Sequence, residues 1–385
     1  MQSFIRPLSP RDSLERHRAA TPLELFFDLV SVIAIAAAAV GLHHAIAEAH
    51  AMQGIVTFLM AFFAIWWAWM NYTWFASAYD NDDTLFRLLT ILIMAGSLTM
   101  AAGIGALFKS GELTMVVIGY VIMRVGMVAL WLRAANNDPE RRATALTYAL
   151  GIGIAQVFWI MFLLMQPLAP AVTYAVFMVG VVLELSLPAI AERKGNTPWH
   201  RHHIIERYGL LTIIVLGETL LAGGLSLQQV ADGATNIAFV HIALSALVIV
   251  FSMWWLYFSQ EDHLDSTDLN RAMTWGYGHF IIFAAGAAVG AGFAVLVDII
   301  AGKAEVSLIV GDYAVGIPVA LYMLGLWFVR DRFCLDGAAR LVLPVFAVLV
   351  LVAPFTPVAL EGIAALTAFS VIARNTLANK AQPAG

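Results

Sequence analysis

The sequence predicts an all-α polytopic membrane protein with about twelve transmembrane helices in two parallel six-helix repeats. Three observations carry this expectation. The 385 residues are 61% hydrophobic and only 12% charged, about half the charged fraction of a soluble domain. The apolar residues fall into runs near the roughly 20 that a bilayer-crossing helix needs. The basic residues collect in every second connection, as the positive-inside rule requires. This composition excludes a soluble enzyme and a disordered chain, and the lone Cys334 excludes a disulfide scaffold.

The first run, about Leu23 to Ala47, follows a basic, polar tail of residues 1–22 with no apolar core of its own, so no cleaved signal peptide is expected. The second, Met52 to Trp74, ends in Trp66, Trp67, Trp69, Tyr72 and Trp74, a series expected to form an interfacial belt. Charge or Pro, Gly, Asn and Asp then punctuate Thr84 to Phe108, Leu113 to Leu132, Ala143 to Met165 and Leu168 to Ala191. The second half repeats the plan with Tyr208 to Leu227, Ile237 to Ser259, Thr274 to Val297 and Val310 to Val329. Leu341 to Pro354 and Thr356 to Ile372 close the series, with Pro354 and Pro357 leaving room only for a tight turn. The expected organisation is therefore a tail (1–22), halves at 23–195 and 196–374, and a second tail (375–385).

Of the 21 basic residues, only Lys109 and Lys303 fall on the opposite side, and only Arg124 lies in the middle of a span. That distribution places both termini in the cytoplasm, predicts a multi-pass protein of the cytoplasmic (inner) membrane, and puts Cys334 where a thiol stays reduced. It also repeats. Arg87, Lys109 and the group Arg133, Arg141 and Arg142 are followed by Arg271, Lys303 and the group Arg330, Arg332 and Arg340. Trp66-Trp67 is echoed by Trp254-Trp255, and Arg16-His17-Arg18 with Glu24 by His200-Arg201-His202 with Glu206. Because six spans separate the copies, the halves share an orientation, the parallel repeat found in some transporters; interfacial preference for Trp and Arg is the plainer explanation of the echo.

Ionisable residues within spans are costly and tend to line functional interiors. Glu24, Asp28 and Ser31 share one face of the first helix. At the helix entry, the dipole and local donors alone would account for Glu24; Asp28 is a turn deeper. Arg124 requires a carboxylate partner, with Glu184 and Glu218 the deepest candidates. His279 sits in an apolar run and is of a type that titrates near neutrality. Asp80, Asn81, Asp82 and Asp83, with Arg87, suit either a cation-collecting mouth or a helix cap. The acidic stretch Glu261-Asp262-His263 with Asp265 echoes them. His200, His202 and His203 with Glu206 lack a zinc-site pattern, and with Arg201 and Arg207 they read best as a basic surface facing anionic lipid. Gly286, Gly290 and Gly292 form a packing face.

There is no phosphate loop, dinucleotide fingerprint or nucleophile elbow. ATP and other cofactors are therefore not expected, and neither is nucleic acid. The expected partners are the lipid bilayer, a small solute or ion and, in a homo-oligomer, further copies of the chain.

Several motifs together resemble the bacterial low temperature requirement A family: Thr21-Pro22-Leu23-Glu24-Leu25-Phe26-Phe27-Asp28-Leu29-Val30, Tyr79-Asp80-Asn81-Asp82-Asp83 with Arg87, Glu206-Arg207-Tyr208-Gly209 through Gly217-Glu218, and Gly276-Tyr277-Gly278-His279. Ser31 is a small departure from the family pattern. The resemblance implies an integral membrane protein tied to a growth requirement, without specifying its molecular activity. Position and cost together suggest an ATP-independent, proton-linked transporter or channel. Glu218, Asp28, Glu184 and His279 would titrate, Arg124 would supply the counter-charge, and the acidic loop with Glu206 would form the polar mouth. The rivals are a membrane-embedded enzyme or lipid-handling protein, in which the acidic loop or the histidines would bind a metal, and a stress-linked accessory protein.

Overall fold

The structure, a computed structural model, describes the chain apart from residues 1–5, 14, 16–17, 232–236, 261–263, 265, 267 and 382–385. Arg16 and His17 of the basic echo, and Glu261, Asp262, His263 and Asp265 of the acidic echo, lie outside the described residues.

The helices in chain order are α1 (Pro22–Ala47), α2 (Ala51–Tyr79), α3 (Thr84–Ser110), α4 (Thr114–Asn137), α5 (Arg142–Leu164), α6 (Pro170–Ala191), α7 (Arg201–Ala231), α8 (Ala238–Phe258), α9 (Leu269–Ile300) and α10 (Leu308–Leu326). A π-helical turn, Trp327–Asp331, and a last turn, Arg332–Cys334, extend α10 before α11 (Gly337–Val352) and α12 (Ala359–Ala381). Among the described residues there is no strand, and ten helices, all but α7 and α12, are long and apolar enough to cross a membrane. The chain is thus a helical, multi-pass membrane protein. Pro354 and Pro357 fall in the short connection between α11 and α12, where a missing N–H costs no helical hydrogen bond.

The chain forms two compact units. The first comprises Met1–Ala37 and Met60–Arg207, the second Ala38–Leu59 and Tyr208–Gly385. In the first, α3 packs on α4, α4 on α5 and α5 on α6. In the second, α9 packs on α10, α10 on α11 and α11 on α12, which also lies against α8. Each unit contains a helix pair whose backbones approach very closely, and in each a glycine permits it. A Cβ on Gly119 of α4 would stand 2.4 Å from the Met100 backbone nitrogen of α3, and one on Gly292 of α9 would stand 2.3 Å from the Ala314 carbonyl oxygen of α10. Gly286 and Gly290 serve the packing expected of them by facing Val215 and Thr219 of α7, whose Thr219 hydroxyl donates to the Gly286 carbonyl (2.8 Å).

Candidate functional site

The candidate site is built at the entry of α1, in the first unit. Thr21 precedes Pro22, whose fixed φ and missing N–H suit the first helical position. Glu24 follows at the position of a capping box. Its carboxylate accepts the Thr21 N–H (2.8 Å), and the Thr21 hydroxyl accepts the Glu24 N–H (3.3 Å). Only one carboxylate oxygen serves this cap. The other meets Arg207 Nη1 at 2.9 Å and His203 Nε2 at 3.1 Å. One turn deeper, Asp28 accepts from Arg207 Nη2 (2.5 Å) and Nε (3.3 Å) and from Trp69 Nε1 (2.7 Å). The side chains of Glu24, Asp28, His203 and Arg207 are all fully buried. Ser31 closes the stripe without joining it, donating to the Phe27 carbonyl (2.9 Å).

A second network surrounds Glu184 of α6. Its carboxylate accepts from Trp67 Nε1 (2.8 Å), Tyr120 Oη (2.8 Å), Trp159 Nε1 (3.1 Å) and Arg124 Nη2 (3.2 Å). Arg124 therefore has the carboxylate partner its position demands, and both side chains are fully buried. Arg124 also donates to Tyr120 and lies over its ring, 4.7 Å from the centroid. Trp67 and Trp69 are two residues apart on α2, about 200° around the helix. Helix α2 thus separates the two networks and donates one indole N–H to each. This corrects the expected interfacial belt. Trp66, Trp67, Trp69 and Tyr72 are buried; Trp67 and Trp69 supply the buried carboxylates on α6 and α1 with donors that water would otherwise provide, and the Tyr72 hydroxyl meets Thr90 (3.2 Å).

The histidine-rich segment is corrected in the same way. It is not a lipid-facing basic surface: His200, His203 and Arg207 are buried, leaving His202 exposed and Arg201 partly so. The turn of α7 that begins here directs His203 and Arg207, one helical turn apart, onto α1. His200 Nε2 donates to the Glu15 carbonyl (2.7 Å), while its Nδ1 accepts the His203 backbone N–H (3.2 Å). Glu206 accepts the Ala20 N–H (3.2 Å) and so ties α7 to the segment before α1.

The acidic loop is largely occupied by its own fold. Asp83 caps α3 through the Phe86 N–H (2.8 Å), accepts the Arg6 N–H (2.8 Å) and pairs with Arg133. Burial opposes its ionisation, but these donors, led by Arg133, hold its pKa down at about 2. Asp82 forms an exposed pair with Arg87 (2.6 Å), and the Asn81 amide donates to the Pro7 carbonyl (3.2 Å). Asp80 is different: it is buried, and desolvation, reinforced by the negative charge of Glu24, pushes its pKa up to about 6. Beside it, Arg18 donates to the Ala76 (2.6 Å) and Ser77 carbonyls at the end of α2. Burial lowers its pKa to about 10, leaving it cationic at neutral pH. Among the described residues no three His, Cys, Asp or Glu side chains converge as a metal would need.

In the second unit, Glu218 is half-buried on α7 and makes no hydrogen bond or ion pair among the described residues. His279 is buried among Tyr208, Trp275, Tyr257 and Phe283. Its Nδ1 donates to the Trp275 carbonyl (2.8 Å), and its Nε2 faces the Tyr257 hydroxyl (3.1 Å). Both ring nitrogens are thus satisfied by a neutral tautomer.

The chain matches the bacterial low temperature requirement A protein (LtrA) family over residues 19–375. It belongs to that family. A relative within reach of sequence comparison is an uncharacterized protein of Rhizobium meliloti (strain 1021), 27% identical over 286 residues, covering 71% of this chain and 68% of that protein. No solved structure matches the chain.

Both first-unit networks of this LtrA protein lie within the matched segment. Sequence reasoning missed Arg207 and His203 as partners of α1, although the spacing Glu24–Asp28 against His203–Arg207 was a signal: two four-residue spacings of opposite charge, each marking one helix face. It also missed a second-unit cluster around Asp331, which accepts from Arg330 Nε (2.6 Å) and from Arg374 Nε (2.8 Å) and Nη2 (2.8 Å). Arg330 Nη1 reaches the Leu256 (2.8 Å) and Tyr257 (3.0 Å) carbonyls at the end of α8, much as Arg18 caps α2. The π-helical turn directs Arg330 and Asp331, adjacent in sequence, into the interior together, which no 3.6-residue pattern predicts.

Proposed function

We propose that this LtrA protein is an ATP-independent, proton-linked secondary transporter or channel of the cytoplasmic membrane. In this reading both termini are cytoplasmic, and twelve spans form two parallel halves, residues 23–195 and 196–374. The recurrent neighbour order α3-α4-α5-α6 and α9-α10-α11-α12 supports the repeat.

One observation carries the proton-linked reading: the charge balance of the α1 cluster. Two carboxylates, Glu24 and Asp28, meet one guanidinium, Arg207, and one imidazole, His203, all without solvent exposure. With His203 neutral, these four residues carry one net negative charge. Arg18, cationic and electrostatically coupled to Glu24 and Asp80, offsets it while Asp80 is protonated, so ionising Asp80 leaves a surplus charge that a medium of low dielectric penalises heavily. A single proton, on His203 or on Asp28, removes the penalty. Asp80, titrating near pH 6 at the adjoining end of α2, is the group through which that proton exchanges with the cytoplasm. The Arg124–Glu184 pair is neutral as it stands and has four donors on its carboxylate. It serves as the fixed wall against which α2 is held, while Glu218 is the next carboxylate along α7.

The test uses everted membrane vesicles carrying the full chain and an imposed pH gradient. Solutes are added one at a time while the gradient is followed with a fluorescent dye. A proton-linked transporter collapses the gradient when its solute is present, and Asp28→Asn abolishes the response. If no inorganic ion, amino acid, sugar, carboxylate or organic cation tested changes the gradient beyond vesicles lacking the protein, the transport reading fails.

A further inference from the structure

A groove that the transport reading does not use opens on the first unit, where α3 begins and α4 ends. It is open on one side and has a volume of about 600 Å³, within the range of small-ligand sites. Its floor is apolar: Leu85 and Leu89 of α3, and Ala129 and Leu132 of α4. Its mouth is polar: Arg6, Arg133, Asn136 and Asn137. The order along the helices is regular. Read inward from its end, α4 presents Asn137, Asn136 and Arg133 before Leu132 and Ala129, and the two α3 leucines run alongside. That is the profile of an amphiphile lying along the pair, with its head at the helix ends and its tails toward the membrane interior.

The mouth is held in place. Arg133 pairs with the buried Asp83 and donates to the Arg6 carbonyl (2.6 Å), and the Arg6 N–H is bonded to the same Asp83 (2.8 Å). Among the described residues the exposed Arg6 guanidinium donates one hydrogen bond, to the Asn81 carbonyl (2.7 Å), and has further N–H donors to offer. The Asn136 side chain is exposed and makes no hydrogen bond among the described residues. Two guanidiniums stand against one carboxylate, so the mouth is cationic. A free phosphate would use that charge but not the four apolar side chains beneath it.

We propose that this groove is a binding site for one anionic glycerophospholipid. Its phosphate is bound by Arg6 with Asn136, and its chains lie over Leu85, Leu89, Ala129 and Leu132. The site is independent of the transport reading and stands or falls without it.

The experiment is native mass spectrometry of the full chain, purified in detergent and incubated with phosphatidylglycerol or with phosphatidylcholine. The wild type should retain one phosphatidylglycerol per chain in preference to phosphatidylcholine. Arg6→Gln keeps the backbone N–H bonded to Asp83 while removing the exposed charge, and should weaken phosphatidylglycerol binding about five-fold, the loss typical of one basic residue at a membrane surface. Leu132→Trp, on an exposed floor position, should reduce binding by filling the groove. Arg142→Gln, an exposed arginine at the same end of the unit but outside the groove, should leave binding unchanged. Equal retention of the two lipids, an Arg142→Gln loss as large as that of Arg6→Gln, or displacement of the lipid by millimolar inorganic phosphate would each overturn the proposal.

Discussion

Replacing Asp80 by Asn should stabilise the protein, but only above about pH 4. Asp80 is 4% exposed in the connection between α2 and α3. One of its oxygens accepts the Asp82 N–H (2.8 Å), a bond the Asn side-chain carbonyl preserves. Burial, with Glu24 adding to it, raises the carboxyl from 3.8 to about 6. That difference corresponds to about 3 kcal/mol between the protonated and ionised forms of the folded protein. The sign follows from which state holds the proton. Below about pH 4 Asp80 is protonated both folded and unfolded, and the variant gains nothing. As pH rises towards 6, the unfolded chain ionises while the folded chain retains its proton, so the wild type loses stability relative to the uncharged variant. Above about 6 the loss is complete and Asp80→Asn should be more stable by up to about 3 kcal/mol. Unfolding curves in detergent between pH 4 and 8, followed by tryptophan fluorescence, measure the difference. Identical curves at pH 8, or a wild type more stable than the variant there, would show that Asp80 is ionised and compensated in the fold, and the argument from burial would be wrong.

Other consequences follow from the two networks. Arg207→Gln leaves two buried carboxylates facing each other and should cost about 3–5 kcal/mol, read as loss of the monodisperse peak in size-exclusion chromatography; Asp28→Asn, which removes the surplus charge, should keep that peak. Trp67→Phe deletes one of the four donors to Glu184 and should cost about 1.5–3 kcal/mol, the range for a hydrogen bond to a charged group, measured by the same unfolding curves. Arg133→Gln removes the main support of the depressed Asp83 carboxyl. The wild type should therefore keep that contribution above about pH 4 and lose it as pH falls towards 2, while the variant lacks it throughout.

The membrane class and most of the helices were legible because hydropathy reports directly on lipid contact, and Arg124, Glu184, Glu24 and Asp28 were legible because charge within an apolar run is conspicuous. What stayed hidden was the identity of the partners. Helix α7 begins at Arg201 rather than near Tyr208 because its first turns are polar yet buried against protein, so neither an apolar-run criterion nor a surface-charge rule detects them. The tryptophans of α2 misled for a related reason. An indole serves equally at a lipid interface and as a donor to a buried carboxylate, and only the positions of Asp28 and Glu184 decide between the two. Trp254 and Trp255, a second Trp-Trp pair, on α8, are exposed (45% and 57%), so an identical dipeptide occupies opposite environments in the two units.

The central claim is that the Glu24–Asp28–His203–Arg207 cluster takes up and releases one proton, and a pH jump measures this without knowledge of the solute. With the full chain reconstituted in liposomes on a solid-supported membrane, an abrupt change of pH should evoke a transient charge displacement in the wild type. Asp28→Asn, which keeps the helices but removes the surplus carboxylate, should abolish it. A displacement of the same size in wild type and variant, or none in either, would contradict the account.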